Sequence, residues 1–164
     1  EILKQPQRTI ARKMSRLASA GVVKYTLEGK NKTYYIDLHD SQSLLLLSTI
    51  EHLKALSFII RHPKIGIAIQ DFMQLGPVIL FGSYAKAQQT SGSDVDILLL
   101  CQKSKKARVL CSKYPFTINP HFSSIDLFNT LLKQENALAK EIAKNHIIFG
   151  NAEEIVNMLV KFYG

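Results

Sequence analysis

The chain has few of the residues that build disulfide frameworks and metal centres. Only two cysteines occur among its 164 residues, and they form no Cys-x-x-Cys motif. The five histidines are dispersed along the chain without the spacing of metal ligands. We therefore interpret Cys101 and Cys111 as reduced packing residues and find little support for a zinc site.

Long apolar runs are also missing. The longest uninterrupted apolar stretches are only a few residues long, such as Leu44 to Leu47. No secretory signal pattern and no apolar span of about 18 residues is present. We therefore expect a soluble, cytoplasmic protein with no membrane partner.

Positive charge is abundant and unevenly placed. The composition, 46% apolar and 21% charged, is typical of a globular protein with one domain or with one domain and a small module. Residues 1–36 hold eight Lys or Arg against Glu1 and Glu28, so they account for +6 of the net charge of +8. This asymmetry favours contact of the N-terminal segment with a polyanion, most simply nucleic acid. The alternative is a solvated charged face.

One segment combines small residues with paired carboxylates. Two apolar runs, Pro77–Leu80 and Ile97–Leu100, read as short buried strands. Gly82-Ser83 then lies on the turn that leaves the first strand, and Asp94 and Asp96 open the second. Alternate residues of a strand face the same way, so the two carboxylates are expected side by side. A divalent cation such as Mg²⁺ relieves their repulsion.

The combined motif, Gly82-Ser83 followed by a spacer and Ser93-Asp94-Val95-Asp96, resembles the signature of the polymerase-β-like nucleotidyltransferase superfamily, particularly its minimal branch. The resemblance implies an α+β fold with a small mixed β-sheet flanked by helices. It implies that Gly82, Ser83 and Ser93 bind a nucleoside triphosphate (NTP), and that Asp94 and Asp96 are catalytic ligands of Mg²⁺ or Mn²⁺. The implied reaction is transfer of a nucleoside monophosphate (NMP) to an acceptor hydroxyl. The alternative is a surface loop in which Ser93 and Asp94 end a turn.

The segment departs from the family pattern at two places. Ala87 stands where the family usually has a glycine. The next predicted strand, Pro115–His121, offers Thr117 and Asn119 where the family places a third carboxylate. That carboxylate would ligate a metal and accept the proton of the attacking hydroxyl. A non-catalytic DNA-binding transcriptional regulator, or an antitoxin-type protein, with a degenerate nucleotidyltransferase core is therefore the alternative function.

The N-terminal segment has the pattern of a helix followed by a basic hairpin. A helix is predicted over residues 6–20, and strands over Val22–Leu27 and Lys32–Ile36. Residues 3–37 resemble the recognition helix and wing of a winged helix-turn-helix DNA-binding domain. The resemblance covers only the latter half of such a domain. This resemblance implies DNA contacts by Gln7, Arg8, Thr9, Arg12, Lys13, Arg16, Lys30 and Lys32. A docking module for another protein is the alternative.

The order of these segments along the chain predicts the domain organisation, and two further features predict partners. The winged helix-turn-helix segment covers residues 1–40, a connecting helix 41–63, and the nucleotidyltransferase core 64–164. The connecting helix is apolar on more than one side, as expected for packing between modules or across a homodimer. A single helix that opens at the capping sequence Ser123–Asp126 is expected to continue through Ile142. The minimal branch also implies a small helical partner protein.

Overall fold

The computed structural model describes residues 5–102 and 105–163. The chain divides into two compact units, Glu1–Leu47 and Ser48–Gly164. Residues 1–4 of the predicted winged-helix segment, and residues 103, 104 and 164 of the predicted core, lie outside the described residues. The domain bounds expected from the sequence stay predictions.

The first unit contains the helix and hairpin that the sequence predicts. Helix α1 spans Gln7–Ser19, and strands β1, Lys24–Glu28, and β2, Asn31–Tyr35, pair antiparallel. Gly29 lies in the two-residue turn between the strands with φ +64°, a conformation that glycine adopts without strain.

The apolar side of α1 is not buried. None of its residues is buried: Ile10, Met14 and Leu17 recur at helical spacing, and Leu17 is 39% exposed. The helix predicted over residues 6–20 is therefore present as α1, and its apolar side chains stay accessible to solvent.

Helix α2 spans Ser41–Arg61. The Asp40 carboxylate accepts the Gln42 N–H over 3.0 Å and caps its start. Among the described residues, α2 is the one helix whose length and composition would allow it to cross a membrane, a test that core helices of soluble proteins also pass. Serine, threonine and a few charged residues interrupt the apolar sequence of α2, so it contains no long unbroken apolar run.

The second unit is built on a four-stranded mixed sheet. Its strands are β3, Val78–Phe81; β4, Val95–Leu99; β5, Ile118–Phe122; and β6, Ile147–Phe149. They lie in the order β5-β4-β3-β6, with β4 and β5 parallel and the other pairs antiparallel. The mixed sheet is the one expected from the resemblance.

Six helices follow α2 in the described part of the chain. They are α3, Pro63–Met73; α4, Gly82–Ala85; α5, Lys105–Lys113; α6, Ile125–Lys133; α7, Ala137–Lys144; and α8, Ala152–Tyr163. Helices α3 and α5 cover the sheet face that carries Leu80 and Ile97, and α7 and α8 contact the sheet from the side of Ile79 and Ile148. The sheet is therefore buried on both faces.

The single helix expected through Ile142 is in fact two helices, α6 and α7. Glu135 has a left-handed backbone with φ +56°, which ends α6. Asn136 then caps α7, its Oδ1 accepting the N–H groups of Leu138 and Ala139 at 3.1 Å each. The continuous apolar pattern hid this break because each of the two helices buries apolar residues, Phe128 and Leu132 on α6 and Ile142 on α7.

Candidate active site

Asp94 and Asp96 lie at the start of β4, in the middle of the sheet. Asp96 is paired with Phe81 on β3 and with Asn119 on β5. Asp94 precedes the strand by one residue, so the strand alternation places it on the same side as Asp96. The two carboxylates predicted from the sequence therefore lie together.

Asn119 bridges the two carboxylates. Its Nδ2 donates to Asp94 Oδ2 over 3.3 Å and to Asp96 Oδ1 over 3.2 Å. The partial positive charge of the amide reduces the repulsion between them. Asn119 Nδ2 thus reaches both carboxylates from the strand where the family places its third acid. Thr117, the other candidate on this segment, is exposed.

Gly82 brings the turn after β3 against the same carboxylate. It has φ +70° and begins helix α4. A Cβ at this position would collide with Asp96 Oδ2. Glycine is therefore required both by the backbone conformation and by the closeness of Asp96.

Ser83 follows Gly82 in the short helix α4 and is partly buried. The first N–H groups of a helix have no intrahelical acceptor, and phosphate oxygens can accept from them. The Ser83 carbonyl accepts the Gln88 N–H over 2.9 Å, which folds the loop back on the turn. The turn thus places donors of the kind that a triphosphate needs beside the aspartates.

Ala87 has a left-handed backbone with φ +54°. This conformation explains why the family usually has glycine here, because a Cβ is strained in this region. Ala87 thus has the backbone conformation that suits a glycine, and its Cβ makes this conformation strained.

Ser93 closes the loop before the aspartates. Its Oγ accepts the Thr90 N–H over 2.8 Å, and its own N–H donates to the Thr90 carbonyl over 3.1 Å. These bonds are those of a turn residue, and they explain a serine at this position without any ligand. Its role in nucleotide binding stays a prediction.

The donor set fits one divalent cation. Asp94 and Asp96 supply carboxylate oxygens, and the Asn119 amide supplies an oxygen if it rotates half a turn about its last bond. Among residues 5–102 and 105–163, no group of three or more His, Cys, Asp or Glu residues forms a metal cluster. The residues thus suit one Mg²⁺ or Mn²⁺ ion, and they lack the third carboxylate expected for two.

Two residues near the site were not singled out from the sequence. Lys86 ends α4 and forms an ion pair with Glu141 of α7, which ties the turn to that helix. His121 lies on β5 two residues after Asn119, with its exposed ring 5.5 Å from that of Phe81. Strand alternation places His121 on the face of Asn119, and this signal was available in the sequence.

The predicted DNA contacts belong to the first unit. In α1 all of them are exposed except Thr9, which is partly exposed. Lys30 lies in the hairpin turn, and Lys32 Nζ lies 4.3 Å from the centre of the Tyr25 ring on the opposite strand. The helix and the hairpin carry these residues, and DNA contact stays a prediction.

Comparison with known families identifies the second unit. The family described as "Polymerase beta, Nucleotidyltransferase" matches residues 64–154, more than half of the chain. The match includes the Gly82 turn, both aspartates and Asn119, and it does not include α1 or the hairpin. Searches of curated proteins and of solved structures gave no match. The chain belongs to the polymerase β nucleotidyltransferase family.

Proposed function

We propose that the chain transfers a nucleoside monophosphate from a nucleoside triphosphate to an acceptor hydroxyl, with one Mg²⁺ or Mn²⁺ ion bound by Asp94 and Asp96. The observation that carries this proposal is the meeting of the Gly82 turn with Asp96 beside Asp94. Phosphate-binding and cation-binding groups must lie this close because the cation has to contact the triphosphate.

Each residue has a distinct role in the proposed reaction. The N–H groups at Gly82 and Ser83 bind oxygens of the triphosphate and hold its α-phosphorus for in-line attack. Asp94 and Asp96 hold the cation, which when bound neutralises charge on the phosphates. Asn119 orients the two carboxylates through its hydrogen bonds.

The reaction forms a bond from the acceptor oxygen to the α-phosphorus and breaks the bond to the β-phosphate oxygen, so pyrophosphate leaves. The acceptor proton passes to solvent, since an amide at Asn119 cannot take it. We therefore expect turnover that is slow at neutral pH and faster with rising pH.

Transfer of labelled nucleotide tests this function. The chain is incubated with each of the four α-labelled NTPs and Mg²⁺ or Mn²⁺, alone and with candidate acceptors. We expect metal-dependent nucleotide binding and label transfer, both lost in Asp94→Ala with Asp96→Ala. Asp126→Ala, which removes an exposed carboxylate from α6, serves as the matched control. Absence of transfer together with binding that survives the double substitution would contradict the proposal.

A DNA-binding regulator with a degenerate core is the second candidate. Two observations favour it: an amide occupies the position of the third acid, and α1 exposes Arg8, Arg12, Lys13 and Arg16. In this alternative the core binds nucleotide without turnover. Binding of NTP with no transfer, together with salt-sensitive DNA binding, would favour the regulator over the enzyme.

A further inference from the structure

Thr117 places a hydroxyl group next to the two aspartates. It precedes β5 by one residue, as Asp94 precedes β4, and the two strands are parallel with Val95 opposite Ile118. The Val95 N–H donates to the Thr117 carbonyl over 2.9 Å, which continues the pairing one step before the strands begin. Thr117 and Asp94 are therefore neighbours across the two strands, with Cα atoms about 4.8 Å apart.

The Thr117 and Asp94 side chains belong to the same face of the sheet. Val95 and Ile118 are 1% and 7% exposed and pack in one core cluster. Because side chains alternate along a strand, the residue before each of them lies on the opposite face. That is the face of Asp96, so the hydroxyl and both carboxylates share it.

The Thr117 hydroxyl is free to react. Thr117 is exposed and adjoins β5, which is an edge strand of the sheet. Within residues 5–102 and 105–163, no hydrogen bond involves its hydroxyl. By contrast, the hydroxyl of Ser93 is held in its loop, where it accepts the Thr90 N–H over 2.8 Å. Thr117 is thus the better placed nucleophile beside the aspartates.

We propose that Thr117 is the acceptor of the nucleotidyl group, so that the chain modifies itself. This inference rests on the proposed function and names its acceptor. The sheet holds the hydroxyl beside Asp94, next to the place proposed for the α-phosphate of the NTP. Such fixed proximity turns a reaction between two molecules into one within a single molecule, which lowers its barrier.

The proposed step is a substitution at phosphorus. A bond forms between Thr117 Oγ1 and the α-phosphorus of the NTP. The bond from the α-phosphorus to the bridging oxygen of the β-phosphate breaks, and pyrophosphate leaves with the electron pair. The hydroxyl proton passes to solvent. The product is a phosphodiester that joins the threonine to the nucleoside.

The phosphodiester is expected to stop the reaction after one turnover. It carries one negative charge, which would lie beside Asp94 and Asp96 and repel an incoming triphosphate. We therefore expect at most one nucleotide per chain. We also expect the modified chain to bind NTP at least about tenfold more weakly than the unmodified chain.

Mass spectrometry of the intact chain tests this inference. The chain is incubated with each of the four NTPs and Mg²⁺ or Mn²⁺, without any added acceptor. It is expected to gain the mass of one NMP, which peptide mapping should place on Thr117. The rate per chain should not depend on chain concentration, since both groups belong to one molecule. Thr117→Ser should keep the modification, and Thr117→Val should lose it while NTP affinity is unchanged.

Thr33→Val is the matched control. Thr33 is an exposed residue of β2, so the substitution removes the same hydroxyl group from the first unit. This variant is expected to be modified like the unsubstituted chain.

Three outcomes would overturn the inference. A nucleotide that is found on another residue, and persists in Thr117→Val, has a different acceptor within the chain. A chain that stays unmodified while it transfers nucleotide to an added molecule has an external acceptor. Both results leave the proposed function standing. A chain that transfers nucleotide to no acceptor, itself included, contradicts the proposed function together with this inference.

Discussion

Asn119 lies directly opposite Asp96 on the adjacent parallel strand and donates its amide N–H to the Asp96 carboxylate over 3.2 Å. The same amide reaches Asp94, so one side chain holds both carboxylates. The family position of a third acid is thus occupied by a donor. We expect this exchange to determine how the site responds to cations and to substitution.

Asn119→Asp is expected to make the site depend on a cation for its stability. Without a cation, three adjacent carboxylates repel, and we expect the free energy of unfolding to fall by about 1–2 kcal/mol. Mg²⁺ or Mn²⁺ should restore it and bind at least about tenfold more tightly than to the unsubstituted chain. Thermal melts with and without cation, together with calorimetric titration, measure both effects.

The control for this substitution is Asn157→Asp, the same change at an exposed position of α8. It should alter neither the melting temperature nor cation affinity. If Asn119→Asp gave no gain in cation affinity, Asn119 would not occupy a ligand position.

Gly82→Ala is expected to damage both fold and site. The new Cβ would meet the Asp96 carboxylate in a backbone with φ +70°, and we expect a loss of at least about 1–2 kcal/mol in the free energy of unfolding. Cation and nucleotide binding should weaken as Asp96 is displaced. Gly92→Ala is the matched control because no atom lies within 4 Å of its added Cβ. Equal effects of the two substitutions in denaturant unfolding would contradict the close packing at Gly82.

Ala87→Gly is expected to stabilise the chain. Glycine relieves the strain of the left-handed backbone at φ +54°, which is worth about 1 kcal/mol. Urea unfolding should show a higher midpoint with an unchanged slope. Ala85→Gly in α4 is the control, where glycine should lower the midpoint because it loosens a helix. A lower midpoint for Ala87→Gly would show that Ala87 is not strained.

Because of Glu51, the free energy of unfolding is expected to depend on pH in the acidic range. Burial raises its pKa, but interactions with His146 and Lys54 lower it by more, so the pKa lies below the ordinary value of 4.5. Its Oε1 lies 2.9 Å from Lys54 Nζ and 3.6 Å from His146 Nε2. A depressed pKa means that the unfolded chain binds the proton more readily. The contribution of ionised Glu51 to the free energy of unfolding is therefore complete above about pH 4.5, and it is lost as the pH falls below that value.

Glu51→Gln should remove this contribution. We expect the variant to be about 1 kcal/mol less stable at pH 7 and to lose less stability than the unsubstituted chain between pH 5 and pH 3. Denaturant unfolding at several pH values measures it, with Glu153→Gln at an exposed position of α8 as control. Parallel pH curves for the unsubstituted chain and Glu51→Gln would contradict the role of Glu51.

Arg12→Ala with Lys13→Ala is expected to abolish tight binding of duplex DNA. If the first unit neutralises about four phosphates, log affinity falls with log salt at a slope near −3.6, and removal of two cations brings the slope to about −1.8. Fluorescence anisotropy with a mixed-sequence duplex at several salt concentrations gives both slopes. Lys144→Ala with Lys161→Ala, two exposed lysines of the second unit, should leave them unchanged. Equal affinity of both double variants would reject the assignment.

Much of the fold was predictable because local signals agree with the tertiary structure. On either side of the Gly82 turn, β3 is fully apolar and β4 is apolar apart from Asp96, which is how buried central strands appear in a sequence. The hairpin of the first unit was predicted from Gly29 between two strand-like runs. In both places the local preference of the chain and its final environment coincide.

The missed features depend on contacts that no local pattern records. The break at Glu135 and Asn136 interrupts an apolar repeat that both helices continue. Leu53, Leu56 and Ile60 of α2 are recognisable in the sequence as apolar residues. Only the burial of Ala55 and Phe58 shows that they lie on the exposed side of the helix.

The sequence by itself determined the family, the pair of aspartates and the amide where a third acid is expected, because residue identity and spacing define a strand-turn-strand unit locally. Only the tertiary structure decided that Asn119 bonds to both aspartates and that Asp96 occupies the space left by the missing side chain of Gly82. Those relationships arise from the pairing of β4 with β3 and β5. Pairing between strands 23 residues apart depends on the packing of the whole sheet, which spacing along the chain cannot specify.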